Sequence, residues 1–133
     1  MIIVYTYQQI SDYPSVLCQN FWYTNLMKLA IILSTNNVET NWNALRFANL
    51  ALKKGDEVSI FLLGEGVEYD QLSSQKFDVK AQVETFLKSD KSKIVACGTC
   101  MKLRQQESTE ACPMGGIEDL YTLVAEGDKV LTF

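Results

Sequence analysis

The chain of 133 residues contains no histidine. Without imidazole there is no Ser-His-Asp or Cys-His pair, no usual general base at neutral pH and no His ligand for a catalytic zinc. Chemistry must then rest on cysteine, lysine, carboxylates or backbone dipoles. Proline is scarce, at two residues, and no apolar run approaches the ~18–20 residues that span a bilayer. Basic charge is short as well: a net charge of −4 argues against nucleic acid or an anionic membrane as the main partner. No GxGxxG or Walker sequence occurs.

What is present describes one globular domain, 47% hydrophobic and 21% charged, with enough chain to bury a core without staples. Residues 1–26 stand apart. Met1-Ile2-Ile3-Val4-Tyr5-Thr6-Tyr7 reads as a possible strand, and the remainder is aromatic-rich with the single charge Asp12. It does not read as a secretory signal, because a basic n-region is missing and Gln8, Gln9, Asp12 and Pro14 interrupt the apolar run. Two readings stay open for this extension: an over-long start ahead of Met27-Lys28, or a segment that packs its aromatics on a neighbouring subunit.

From residue 27 onward, buried strands alternate with amphipathic helices. Leu29-Ala30-Ile31-Ile32-Leu33 and Val58-Ser59-Ile60-Phe61-Leu62-Leu63 are nearly continuous apolar runs, as in strands covered on both faces. A third strand covers 93–96, a brief fourth 108–112, and a last one 130–133. Asn36 followed by Glu39 has capping-box spacing for a helix over 39–54. Its stripe is Trp42, Leu45, Ala48 and Leu52, widened by Ala44, Phe47 and Ala51. A second helix covers 79–88 with Val83, Phe86 and Leu87 inward. A short helix follows over 101–106, and a third long helix over 117–126 carries the stripe Ile117, Leu120, Tyr121 and Val124. This order predicts a single-domain, three-layer α/β fold with a mostly parallel sheet of about five strands. The strand-to-helix loops of such a sheet gather at its C-terminal edge, where ligands bind at the switch point. Loops 34–37, 64–69, 97–100 and 112–116 meet there.

Three of the four cysteines, Cys97, Cys100 and Cys112, fall within sixteen positions. Cys18 has no motif around it and reads as structural or incidental. In a chain without secretory features such clustering points to redox, sulfur transfer or metal rather than a disulfide framework. Cys97-Gly98-Thr99-Cys100 lies between a strand and a helix, where free N–H groups and the dipole stabilise a thiolate. Zinc or an iron–sulfur cluster normally wants four soft ligands, and only Cys112 offers a third, so no metal or other cofactor is expected. The alternative for the pair is two small buried thiols filling space. Arg104 is a candidate for holding an anionic sulfur donor, while Lys102 reads as solvated. Gly115-Gly116 at a helix start permits close backbone approach and could bind an anion. Candidate catalytic residues are thus Cys97, Cys100 and Cys112, with Arg104, Asn36, Gly98, Gly115 and Gly116 as candidate substrate contacts.

Cys97 to Arg104, Met114-Gly115-Gly116-Ile117-Glu118-Asp119-Leu120 and Gly127-Asp128-Lys129-Val130-Leu131-Thr132-Phe133 together resemble the DsrE/DsrF-like proteins, a group that includes TusD-type sulfur-relay subunits. The resemblance covers residues 27–133 and leaves 1–26 outside. It implies a Rossmann/flavodoxin-like sheet, homo- or hetero-oligomers (often trimers or hexamers), and sulfur transfer through a cysteine persulfide. The family's sulfur-carrying cysteine ends the third strand seven residues before an arginine, and Cys97 and Arg104 stand in that relation. Cys100 and Cys112 depart from the sulfur-relay pattern. The function expected is a cytoplasmic sulfurtransferase or sulfur carrier with donor and acceptor protein partners, with Cys100 or Cys112 able to discharge the persulfide as a disulfide. A thiol–disulfide oxidoreductase, or an oligomeric binding module with structural cysteines, is the alternative.

Overall fold

The computed structural model describes residues 3–5, 26–71 and 73–133. The remaining part of the 1–26 extension, with Cys18 and both readings of that segment, lies outside them. The described strands are β1 (Ile3–Tyr5), β2 (Lys28–Leu33), β3 (Glu57–Leu62), β4 (Ser92–Cys97), β5 (Met114–Gly115) and β6 (Lys129–Thr132). They form one sheet in the order β1-β6-β2-β3-β4-β5. β6, β2, β3, β4 and β5 run parallel, and β1 is added antiparallel on β6. The chain has the α/β fold expected of it.

The core follows from the apolar runs. Leu29, Ile31, Leu33, Val58, Ile60, Leu62, Ile94 and Ala96 are buried beneath α1 (Val38–Lys53) and α2 (Val79–Phe86). In α1 the buried face is Ala44, Leu45, Ala48 and Ala51. Small residues at this spacing let the helix sit close to the sheet. Phe47, expected to widen that stripe, is 47% exposed, because the alanine face turns it outward. Leu87 is likewise exposed rather than inward. α2 ends at Phe86, so Leu87 is already its C-cap.

The first cap shifts by one residue from the expected Asn36. Asn37 caps α1, accepting from the Thr40 N–H at 3.0 Å, which frees Asn36 for another partner. α3 (Gly98–Leu103) starts earlier than the expected 101–106 and stops where Gln105 takes a positive φ of 52°. Residues 108–112, read as a brief strand, instead form a turn in which Thr109 and Cys112 exchange backbone hydrogen bonds. Ser108, Thr109 and Glu110 are all exposed polar residues with no apolar face to bury, and pairing with β4 starts only when Pro113 accepts from Ala96 N–H.

The second face of the sheet is covered differently. Among the described helices only α4 (Ile117–Glu126) crosses it, touching β2, β3 and β5. None of the residues of α4 is buried, and Ile117 and Tyr121 are each 75% exposed. Below α4 the same face carries Lys28, Glu57, Ser59 and Lys93 around a shallow groove, a polar half of a sheet that needs no helix over it. No described helix is long and apolar enough to cross a membrane.

The C-terminal edge is where the fold positions chemistry. Strand order reverses between β2 and β6, but that crevice is closed: the backbone N–H and the hydroxyl of Ser34 both donate to the Phe133 carbonyl at 2.8 Å. Next to it a short 3-10 turn, Gly64–Glu68, folds back over the end of β2. Gly66 is pressed there so closely that an added Cβ would overlap the Leu33 carbonyl. Gly66→Ala is therefore expected to lower stability by about 2–3 kcal/mol, the scale of overpacking at a site that cannot move. Denaturant unfolding at unchanged m-value checks this.

Candidate functional site

Cys97 is the last residue of β4 and the N-cap of α3. The first N–H groups of a helix have no partner inside it, and as N-cap the Cys97 sulfur stands at those of Thr99 and Cys100, near enough for them to favour its charged form. Partial burial of Cys97 works against a charge. The hydrogen bond from the Cys100 thiol and these two N–H groups outweigh it, and hold Cys97 below the ordinary thiol value. Cys97 is therefore the member of the pair that ionises first.

Cys100 sits in the first turn of α3 and receives the Gly64 N–H at 3.2 Å. Its hydrogen bond to Cys97 raises its pKa most, followed by burial. The Gly64 N–H and the positive charge of Arg104 pull the other way without overcoming them. The pair is asymmetric: the thiolate is favoured on Cys97 over Cys100. Arg104 thus bears on Cys100 among the thiols, where the sequence pairs it with Cys97.

Arg104 follows α3 as its C-cap. Its guanidinium donates to the Cys100 carbonyl at 3.2 Å and lies 3.7 Å from Glu68. Asn36 Nδ2 donates to the other Glu68 oxygen at 3.1 Å. Asn36, Glu68, Arg104 and Cys100 thereby join the loops after β2, β3 and β4. Glu68 was not legible as a site residue. A single carboxylate in a loop resembles a solvated charge, and only the approach of Arg104 gives it a partner. Both side chains of this pair are 27% exposed, so the contact orients Arg104 more than it stabilises the fold. Lys102 is exposed to solvent.

The glycines divide. Gly115 is required by packing, since a Cβ would lie 2.9 Å from Asp119 Oδ2 and closer still to Val95. Gly116 N–H donates to Asp119 Oδ2 at 2.7 Å, so the donor read as a possible anion contact is taken by a carboxylate of the chain itself. A Cβ on Gly98 would make ordinary contacts of 3.6 Å with Gly115 and Met114, so space alone does not demand glycine there.

Cys112 has different neighbours from the pair. It is 7% exposed, hydrogen-bonded to Tyr69 and near Asp70. Burial, then the Asp70 charge, push its thiol up to about 11, with the Tyr69 contact offsetting a little. Burial and the neighbouring Cys112 and Asp70 push Tyr69 up as well. Cys112 and Tyr69 line a cavity of about 230 Å³ with Val67, Met101 and Gln106. Among the described residues, no group of three or more Cys, Asp or Glu side chains is placed to hold a metal ion.

A family model, the DsrE/DsrF-like family, matches residues 27–133. The chain belongs to the DsrE/DsrF-like family. Two relatives agree in extent with that match. An uncharacterized protein of Methanocaldococcus jannaschii, MJ0989, is 32% identical over 114 residues, covering 80% of this chain and 100% of its own. An uncharacterized protein of Methanopyrus kandleri, MK0008, is 32% identical over 100 residues, covering 71% of this chain and 83% of its own.

Within this DsrE/DsrF-like domain the three described thiols differ enough to be told apart by reactivity. A brief pulse of iodoacetamide at neutral pH is expected to label Cys97 first, while Cys112 stays unlabelled until the chain is unfolded. The sign of the pH effect follows from the raised value. The unfolded chain releases the Cys112 proton near 9.0 and the folded chain near 11. Stability from this thiol is thus complete below 9.0 and lost as the pH rises through about 11. Peptide mapping of the labelled chain and denaturation at rising pH measure the two effects.

Proposed function

We propose that this chain is a cytoplasmic sulfur carrier of the sulfurtransferase type, moving sulfane sulfur through a persulfide on Cys97. One observation carries the reading: Cys97 ends β4 and is the N-cap of α3, so its sulfur stands at the free N–H end of that helix with Cys100 in the first turn beside it. Those donors favour the thiolate, the form that attacks sulfur. The Cys97 thiolate attacks the outer sulfur of a persulfide donor, the donor leaves as its thiolate, and Cys97–S–SH remains. An acceptor thiolate then takes the outer sulfur and returns Cys97 to its starting state. Arg104, oriented by Glu68 and Asn36, supplies positive charge for an anionic donor. The hydrogen bond between Cys97 and Cys100 also favours a second reading, a thiol–disulfide oxidoreductase, which turns over disulfide substrates without carrying sulfur.

The partner reading is a homo-oligomer of trimer or hexamer size, with donor and acceptor proteins visiting the edge. Its support is the apolar stripe of α4, where Ile117 and Tyr121 are 75% exposed and Val124 38%. Large exposed side chains at this spacing form a patch that water covers at a cost.

After incubation with a small persulfide donor, the wild-type chain is expected to gain one sulfur by mass and pass it to an acceptor thiol. Cys97→Ser should gain none and transfer at least about 100-fold more slowly. Transfer that survives in Cys97→Ser contradicts the reading. Tyr121→Glu is expected to shift the assembly to a smaller species in sedimentation equilibrium, leaving the circular dichroism spectrum unchanged.

A further inference from the structure

We propose that the Cys97–Cys100 pair can also discharge its carried sulfur as hydrosulfide, with Cys100 as the resolving thiol and the Gly64 N–H as the donor that activates it. This rests on the reading of Cys97 as the sulfur-loaded residue. It adds an activity: sulfide release without an acceptor protein.

Placement is the first support. Cys100 lies three residues after Cys97, in the first turn of the helix that Cys97 caps, and the two thiols are close enough to shift each other's ionisation. The Gly64 N–H is the second support. It comes from a different element, the 3-10 turn after β3, and is aimed at Cys100 Sγ at 3.2 Å. A donor held on a thiol in this way stabilises negative charge as that charge forms. Arg104, bonded to the Cys100 carbonyl, adds positive charge on the same side.

Loading shifts the balance between the two cysteines. In the empty site the thiolate is favoured on Cys97 and the proton on Cys100. Once Cys97 is a persulfide, the negative charge resides on the outer sulfur, which accepts that proton. Cys100 then attacks the inner sulfur, the Sγ of Cys97. A Cys97–Cys100 disulfide bond forms, the bond between Sγ and the outer sulfur breaks, and the outer sulfur leaves with the electron pair and the proton as HS⁻. The sulfane sulfur is reduced by two electrons, and the two cysteines are oxidised to the disulfide. The step is balanced with no further reactant, and a dithiol reductant resets the pair. Cys112 does not compete, because it is buried and bonded to Tyr69. An acceptor attacks the outer sulfur and Cys100 the inner one, so the two fates diverge at one intermediate.

A single-turnover experiment tests this. The full chain is reduced, freed of reductant and given one equivalent of glutathione persulfide. Hydrosulfide is trapped with monobromobimane, and the protein is followed by intact mass and disulfide mapping, alongside Cys97→Ser and Cys100→Ser. The wild type is expected to release about one HS⁻ per chain and end two hydrogens lighter, with Cys97 linked to Cys100. Cys100→Ser should instead hold the added sulfur at least about tenfold longer. A wild-type chain that stays loaded without forming the disulfide, or a Cys100→Ser chain that releases HS⁻ as fast, overturns the resolving role and leaves sulfur carriage standing. A chain that never gains sulfur at Cys97 overturns both.

Discussion

The site depends on how closely one turn can approach the end of β2. Gly66 lies against the Leu33 carbonyl where any side chain would collide, and this pins the Gly64–Glu68 turn to the sheet edge. From that anchored turn Gly64 aims its N–H at Cys100 and Glu68 reaches both Asn36 and Arg104. Tyr69, just beyond, holds Cys112. A segment of five residues, with Tyr69 after it, thus gives Cys100 and Cys112 different electrostatic settings. A fixed backbone donor costs no reorganisation when charge appears on its partner, which is why such a turn can tune a thiol more reliably than a mobile lysine.

Much of the architecture was legible because burial on both faces leaves a plain mark. Leu29–Leu33 and Val58–Leu62 are apolar almost throughout, and each is a central strand of the parallel sheet. Gly116 and Gly127 bound α4, since glycine there ends one element and opens the next. Cys97 stood out for the same reason: a cysteine between an apolar run and a helix occupies the edge where parallel strands expose their loops. What did not show were relations between side chains distant in sequence. Asn36 read as a cap until Asn37 took that place, and Glu68 had no visible partner 36 residues from Arg104. Cys112, close in sequence to the pair, is buried beside Tyr69 instead.

The two faces of the sheet divide the labour. α1 and α2 pack on each other and on one face, burying the residues that set stability. α4 lies on the other with Ile117 and Tyr121 outward. Met114 starts this apolar surface beside the Cys97 loop: a Cβ on Gly98 would stand 3.6 Å from Met114.

The most direct measurement is the separate titration of the two thiols, followed by ultraviolet thiolate absorbance in the wild type, Cys97→Ser and Cys100→Ser. In the wild type, Cys97 is expected to ionise below 9.0 and Cys100 above it. Removing the Cys100 thiol should move Cys97 upward as it loses a donor, and removing Cys97 should move Cys100 downward under the Gly64 N–H. A wild-type Cys97 that ionises at or above 9.0, indifferent to Cys100→Ser, would contradict a thiolate prepared by this edge of the sheet.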